Sequence, residues 1–346
     1  MKITKLIPLL LLAFLAVVAC SKDEDFSGND EAVTIVDENA GLVVRSSSLR
    51  NQEIPFRVFN SSEEEVTDVA TFYVDEAEIE GSIFTSADEG IFEVYAQYEE
   101  DGATIETEPR PFSVIIPKRK IMIEDYTGTW CGYCPRVTAS IEEVHEETEH
   151  ISVVAIHNDD EMALPFEQDL RAEFDVTGFP AGRINRTVNW INPHDPEDVL
   201  SIAGQPAPMA IGIESQLSGN DLAVKVTVAS ENELSNAKMV VYLVEDGLLY
   251  NQVNYYDNDE SSPYFGQGNP IVDFEHNDVL RASLSNIFGD ALPAIAALEE
   301  YAKNYSISLS SEYNPANLRL VVMLVDENNT AMNSQYAAID SAKGFE

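Results

Sequence analysis

Ile121-Met122-Ile123-Glu124-Asp125-Tyr126-Thr127-Gly128-Thr129-Trp130-Cys131-Gly132-Tyr133-Cys134-Pro135 is the stretch on which the rest of the chain is organised. A β-branched run to Tyr126 reads as a strand, and Gly128 to Tyr133 as a turn. Pro135 suits a first helical turn, where the missing N–H costs nothing. Val137, Ile141 and Val144 then recur at helical spacing, with Glu142, Glu143, Glu146 and Glu147 on the wet side. Two cysteines three apart close too small a loop to staple a large fold, so their chemistry is the better reason for the pair. Thiol–disulfide exchange needs an exposed thiolate and a second thiol close enough to resolve the mixed disulfide. A Cys at a helix N-terminus gains from unpaired N–H groups and the positive end of the dipole, which lower its pKa. Cys131, at the turn, is the expected attacking thiol, and Cys134 the shielded resolving one. Roughly forty-five residues on, Gly178-Phe179-Pro180 forms a turn leading back to strand, a separation one strand and one helix can fill.

Together these segments resemble the thioredoxin superfamily, in which a Cys-x-x-Cys at a helix start faces a cis-proline loop. A strand at Ile151–His157, a short helix over about 165–174 and another over 195–202 complete that order. The resemblance implies that Pro180 is the cis-proline and that Phe179 offers its backbone to a bound substrate chain. Trp130 and Tyr133 would form the apolar rim of that site. Thioredoxins also carry a buried acid six residues before the first cysteine, which makes Asp125 the candidate for moving the proton of the resolving thiol. Glu124, on the other face of the strand, is the alternative. An acid merely exposed at a strand end is the plain reading. Cys-Gly-Tyr-Cys is similar to the setting in periplasmic disulfide isomerases, which implies reduction or isomerisation.

Zinc is the rival for the pair, since Cys131, Cys134, His145 and His150 come close to a zinc-finger string. On an unbroken helix His145 lies about 16 Å beyond Cys134, too far for one tetrahedral site. His157, His194 and His276 look scattered, and Asp257-Asn258-Asp259-Glu260 lacks the register of a calcium loop. No metal and no cofactor is expected.

Upstream, Lys2 and Lys5 precede an apolar run from Leu6 to Ala19, too short for an ordinary membrane span. Val17-Val18-Ala19-Cys20 resembles the lipobox of bacterial lipoproteins, which implies a signal peptide over 1–19 and lipidation at Cys20. Ser21-Lys22-Asp23-Glu24-Asp25 is similar to the signal that exports Bacteroidetes lipoproteins to the cell surface. Residues 20–31 read as an acidic tether. Over 32–117 the pattern has period two, as in Phe92, Val94, Ala96 and Tyr98, and predicts an immunoglobulin-like β-sandwich. Residues 118–205 form the central α/β thioredoxin-like domain. Alternation returns over 206–346 and predicts a second β-sandwich with one helical insertion near Ala291–Glu299. The segment Asp273-Phe274-Glu275-His276-Asn277-Asp278-Val279-Leu280-Arg281 stands out for its polar density, without a mechanism visible in its spacing.

Sixty-one acidic residues against 20 basic ones leave a charge of −41, which would repel phosphates and excludes nucleic acid as a partner. The whole order, from lipobox to the His-Asn-x-Val-Leu-Arg segment, resembles the Bacteroidetes outer-membrane lipoproteins related to the 28-kilodalton Porphyromonas surface protein. That resemblance implies an outer-membrane, lipid-anchored protein, facing the cell surface or the periplasm. Thiol–disulfide exchange with protein or peptide substrates and an unidentified electron donor is the first expected function. A non-enzymatic adhesin or accessory module, with the thioredoxin-like domain as scaffold, is the alternative.

Overall fold

The computed structural model describes residues 34–37 and 40–346. Cys20, the apolar run before it and the acidic stretch after it lie outside the described residues.

The N-terminal part is all-β. Its larger sheet is centred on the strand Gly90–Glu100, flanked by Ala103–Thr107 and Arg110–Ile115, with two short ribbons beside it. Leu42, Ile54, Phe56 and Val58 from the ribbons share one core with Phe72, Val94, Ala96 and Phe112 from the sheet. Alternation decides this packing, because Val94, Ala96 and Tyr98 point inward while Ile91 and Glu93 face water. Leu49 leaves this core and packs with Ala210, Ala229 and Phe345 of the C-terminal part. Arg50 clamps Glu231 with two hydrogen bonds of 2.7 and 2.8 Å across the same junction.

The central part runs β1 (Ile121–Thr127), α1 (Pro135–Glu147), β2 (Ile151–His157), α2 (Glu167–Glu173), β3 (Ala181–Ile184), β4 (Val188–Trp190) and α3 (Glu197–Leu200). Its strands lie in the order β4-β3-β1-β2, with β1 and β2 parallel and β3 antiparallel to β1. Every residue of β1 and β2 is buried, as expected of strands covered on both faces. Ile121 and Ile123 face α1 with Val137, Ile141 and Val144, whereas Met122 and Tyr126 face the other way.

The C-terminal part holds β5 (Met209–Ser218), β6 (Asp221–Ser230), β7 (Lys238–Glu245), β8 (Leu248–Gln252), β9 (Ile271–His276), β10 (Val279–Ser283), β11 (Glu300–Ser308), β12 (Leu318–Val325) and β13 (Ala331–Ala338). Strands β11, β6 and β5 form one sheet, and its inner face packs on Leu243, Leu320, Val322 and Leu324.

The second layer is not a separate sheet. Through Ala155 opposite Val279, β2 pairs with β10, and the sheet runs on as β4-β3-β1-β2-β10-β7-β12-β13. One core therefore covers Val154, Ile156, Leu170 and Phe174 together with Val240, Tyr242, Val321 and Met323. The sheet thus crosses residue 205, where the sequence pattern places the boundary between the thioredoxin-like domain and the C-terminal β-sandwich. The physical reason is visible in β7, where seven consecutive residues are buried, so it has no face for water.

The expected helix near Ala291–Glu299 is not formed. Asp290–Ala291 is a short strand beside β7, and Ile295 exchanges backbone hydrogen bonds of 2.9 Å with Leu234. Pro293 and this long-range pairing outweigh the local helix propensity of the alanines.

Candidate functional site

The loop between β1 and α1 is built from successive turns. Cys131 N donates to Gly128 O at 3.0 Å, and Cys134 N donates to Cys131 O at 3.1 Å. Cys134 is the N-cap of α1 and Pro135 its first residue, so the pair stands at the positive end of a 13-residue helix. Cys131 and Cys134 are joined as a disulfide, and both are buried. The Phe179–Pro180 peptide is cis. Trp130 meets Phe179 edge-on at 5.4 Å between ring centres, which brings the cysteine turn and the proline turn together. Trp130 also donates its indole N–H to Asn158 O at 2.7 Å and remains 45% exposed. Tyr133 is 53% exposed and packs edge-on against Tyr255 and Tyr256 at 5.0 and 6.1 Å.

Those two tyrosines belong to an insertion that the cysteine motif does not announce. Strands β8 and β9 form a two-stranded ribbon between β7 and β10, and its connecting loop crosses the Cys-Gly-Tyr-Cys turn. Val253 N donates to Thr129 O at 2.8 Å, and Tyr255 N donates to Gly132 O at 2.9 Å. The buried Gln252 amide donates to Cys131 O at 2.9 Å and to Gly128 O at 3.4 Å. Four carbonyls of the turn are thus held by one strap. A Cβ on Gly132 would lie 2.5 Å from the Tyr255 ring, so the strap explains the glycine of the motif. On the opposite side, Asp160 accepts from Thr129 N at 2.9 Å and bonds His157 Nδ1 at 2.7 Å.

The two acids of β1 part company, as neighbours on a strand must. Glu124 points away from α1. It is fully buried, ion-paired to Arg186 at 2.9 Å, and accepts from the Tyr126 hydroxyl at 3.0 Å. Asp125 is buried on the α1 side, and its Oδ1 has no hydrogen-bond partner among the described residues. Burial pushes its carboxyl up to about 7, and the charge of Asp278 adds to this.

Asp125 lines a cleft of about 510 Å³. Its floor includes Thr127, Ala155, His157, His276 and Asp278, and its mouth includes Glu142 and His145 of α1 with Glu275 of the ribbon and Asn277 just after it. The histidines that look scattered in the sequence converge here, with the His157 and His276 rings 5.2 Å apart. Burial, helped by His157, pushes His276 down to about 4. The polar segment 273–281 thereby acquires a place, since it closes the cleft opposite α1. His194 lies apart and accepts from Arg136 Nε at 3.3 Å, and burial with that guanidinium brings it down to about 4. Among the described residues, no group of three or more His, Cys, Asp or Glu is arranged to hold a metal ion. Sequence reasoning missed Gln252, Tyr255, Asp160 and His276. Only the polar density of 273–281 could have signalled one of them.

The thioredoxin family profile matches residues 103–192, and that of outer membrane protein Omp28 matches residues 167–343, just over half of the chain. No curated protein sequence matches. The solved structure of HBP35 of Porphyromonas gingivalis is similar in fold at a TM-score of 0.53 and 18% identity, covering 65% of this chain and 76% of that one. A DUF4785 family protein from Legionella pneumophila, at 8% identity over 87% of this chain and 57% of that one, has a TM-score of 0.21, too low to carry an argument. With a thioredoxin domain at its centre, the chain belongs to the Omp28 family of outer membrane proteins.

Proposed function

We propose that the protein performs thiol–disulfide exchange at the outer membrane, on protein or peptide substrates, through Cys131 and Cys134. The observation that carries this reading is the meeting of the cysteine pair, at the start of α1, with the cis Phe179–Pro180 turn through Trp130. In the reduced form the Cys131 thiolate attacks a substrate disulfide, one substrate sulfur leaves as thiolate, and a mixed disulfide forms. Cys134 gives its proton to Asp125 and attacks Cys131 Sγ, which releases the second substrate sulfur and leaves the Cys131–Cys134 disulfide. The substrate has gained two electrons, and an external dithiol must return them to the pair. Trp130, Tyr133 and Phe179 offer the apolar surface on which a substrate chain rests. Anchoring by lipid at Cys20, with the flanking parts as immunoglobulin-like and C-terminal sandwiches facing the cell surface, completes this reading.

One observation favours a second reading. Cys131 is only 4% exposed beneath the strap, as suits a static disulfide in a scaffold of a surface adhesin or accessory module.

The reduction potential of the pair in the purified soluble form separates the two. A reversible couple between about −120 and −270 mV, with mixed disulfides trapped by Cys134→Ser, is expected for exchange. A bridge that stays closed below about −300 mV rejects exchange in favour of the scaffold.

A further inference from the structure

We propose that Asp278 is a positioning residue for the proton of this site, pairing with Asp125 across the cleft and passing to solvent the proton that Asp125 takes from Cys134. The proposal rests on the exchange reading above and adds to it a residue from outside the thioredoxin unit.

Register places the two acids close together, one residue out of step. Asp125 lies opposite Ala155, Ala155 lies opposite Val279, and Ala155 N donates to Asp278 O at 2.8 Å, so Asp278 stands just before β10, two strands from β1. Two strand spacings amount to about 9.6 Å between backbones, a gap that two side chains and a water can span. Both carboxyls line the same cleft, and both are buried. The Oδ1 of Asp125 is unpartnered on its side of this space, as is the Nε2 of His157 and of His276.

The charges facing the pair come from every wall. His157 lies on β2, Glu142 and His145 on α1, Glu275 and His276 on the ribbon, Asp246 after β7, and Arg319 on β12. Arg319 reaches Asp278 and Asp246 at 2.6 Å each. Asp125 is a third carboxyl in the same cleft, while the guanidinium bonds the other two. That guanidinium can balance one negative charge, and His276 is held neutral by its burial. Two uncompensated charges in a buried space are expensive, so a proton stays on the Asp125–Asp278 pair near neutral pH. Burial pushes Asp278 up to about 6 even against Arg319, and Asp125 to about 7, an order that lets protons pass from one to the other within that range. Asn277, Glu275, Glu142 and His145 at the mouth open the path to solvent.

No atom beyond the proton moves through this path. Once the pair has shed its resting proton, as it does above about pH 7, Cys134 S–H loses its proton to the Asp125 carboxylate, and the new thiolate breaks the Cys131–substrate bond. Asp125 then releases that proton through Asp278 to water.

The test uses the reduced soluble protein in excess over a small aromatic disulfide. The first released thiolate reports attack by Cys131 and the second reports resolution by Cys134. In the wild type, the rate of the second release is expected to inflect near pH 7. Asp278→Asn should move that inflection acidward by about half a pH unit or more, because a negative charge near Asp125 is gone, and lower the plateau about tenfold. Asp278→Glu should restore both. Asp273→Asn, which removes an exposed carboxylate of the ribbon outside the cleft, should leave both in place. A profile for Asp278→Asn that matches the wild type or Asp273→Asn overturns the proposal. First release without any second release in the wild type would instead sink the exchange reading, and the proposal with it. Should Asp278→Asn not fold, infrared titration of the protonated carboxyl band in the wild type and in Asp125→Asn decides. Two coupled steps, one lost and the other shifted by the substitution, support the pair, whereas an unshifted remaining step overturns it.

Discussion

Asp125 is held in the fold in the state it does not prefer in water. Its carboxyl ionises near 3.8 in an open chain and at about 7 in the fold, because burial penalises the anion. Between those values the native state binds the extra proton, so stability falls as pH rises from about 4 to 7 and stays lower above that. The Asp125→Asn variant, in the disulfide form, should therefore be more stable than the wild type at pH 8 by a few kcal/mol, because each tenfold change in proton affinity is worth about 1.4 kcal/mol. Near pH 4 the difference should close. Urea unfolding at the two pH values measures this, and equal gaps at both would contradict it. His194 and His276 act with the opposite sign. Both are pushed down to about 4, so their contribution is present above about 6.5 and lost as pH falls from there to 4.

At the scale of elements, the strap decides how the cysteine turn is held. Gly132 is needed for space, since a Cβ would meet the Tyr255 ring at 2.5 Å. Gly132→Ala should cost about 1–3 kcal/mol by overpacking and loosen the strap over Cys131. In a Tyr255→Ala background the same change should be nearly neutral, because the obstacle is gone. A double-mutant cycle with no coupling would mean that the strap does not bear on the turn. The wild-type rate of alkylation of Cys131 after reduction gives a second check, and it should rise when Tyr255 is truncated.

For the molecule as a whole, the shared sheet makes the thioredoxin unit depend on the C-terminal part. Met122, Tyr126, Val154, Ile156 and Phe174 bury one face of their half-sheet in a core that includes Tyr242, Val321 and Met323. A fragment ending at residue 205 would expose part of that face. It should aggregate or lose fixed tertiary packing, as read by near-ultraviolet circular dichroism. A monomeric fragment with the native spectrum would show that the sheet junction is dispensable. The same core contains a buried ion pair that crosses the junction. Arg186 binds Glu124 at 2.9 Å, Tyr242 at 3.1 Å and the Ile287 carbonyl at 3.3 Å, and it lies over the Phe174 ring. Glu124→Ala leaves that guanidinium unpaired and should cost about 3–5 kcal/mol. Because Glu124 faces away from α1, the reduction potential of the cysteine pair should stay unchanged in the same variant.

By itself the sequence determined the elements around the cysteines. Strand, turn and helix are written locally in the β-branched run, Gly128, Pro135 and the spacing of Val137, Ile141 and Val144, and each is observed where that pattern places it. The parity of strand residues also separated Asp125 from Glu124, leaving only burial to tell which faces α1. Tertiary structure alone decided which strands are neighbours. A period-two pattern says that a strand has an inner face, not which strand lies beside it, so β2 and β10 could not be paired from sequence. It likewise decided that Gln252, His276 and Asp278, more than a hundred residues beyond the cysteines, form the strap and the far wall of the cleft. Their pattern carries no local signal, because polar residues in a turn look alike whether they face water or close a site. What distinguishes them is the desolvation that the completed fold imposes.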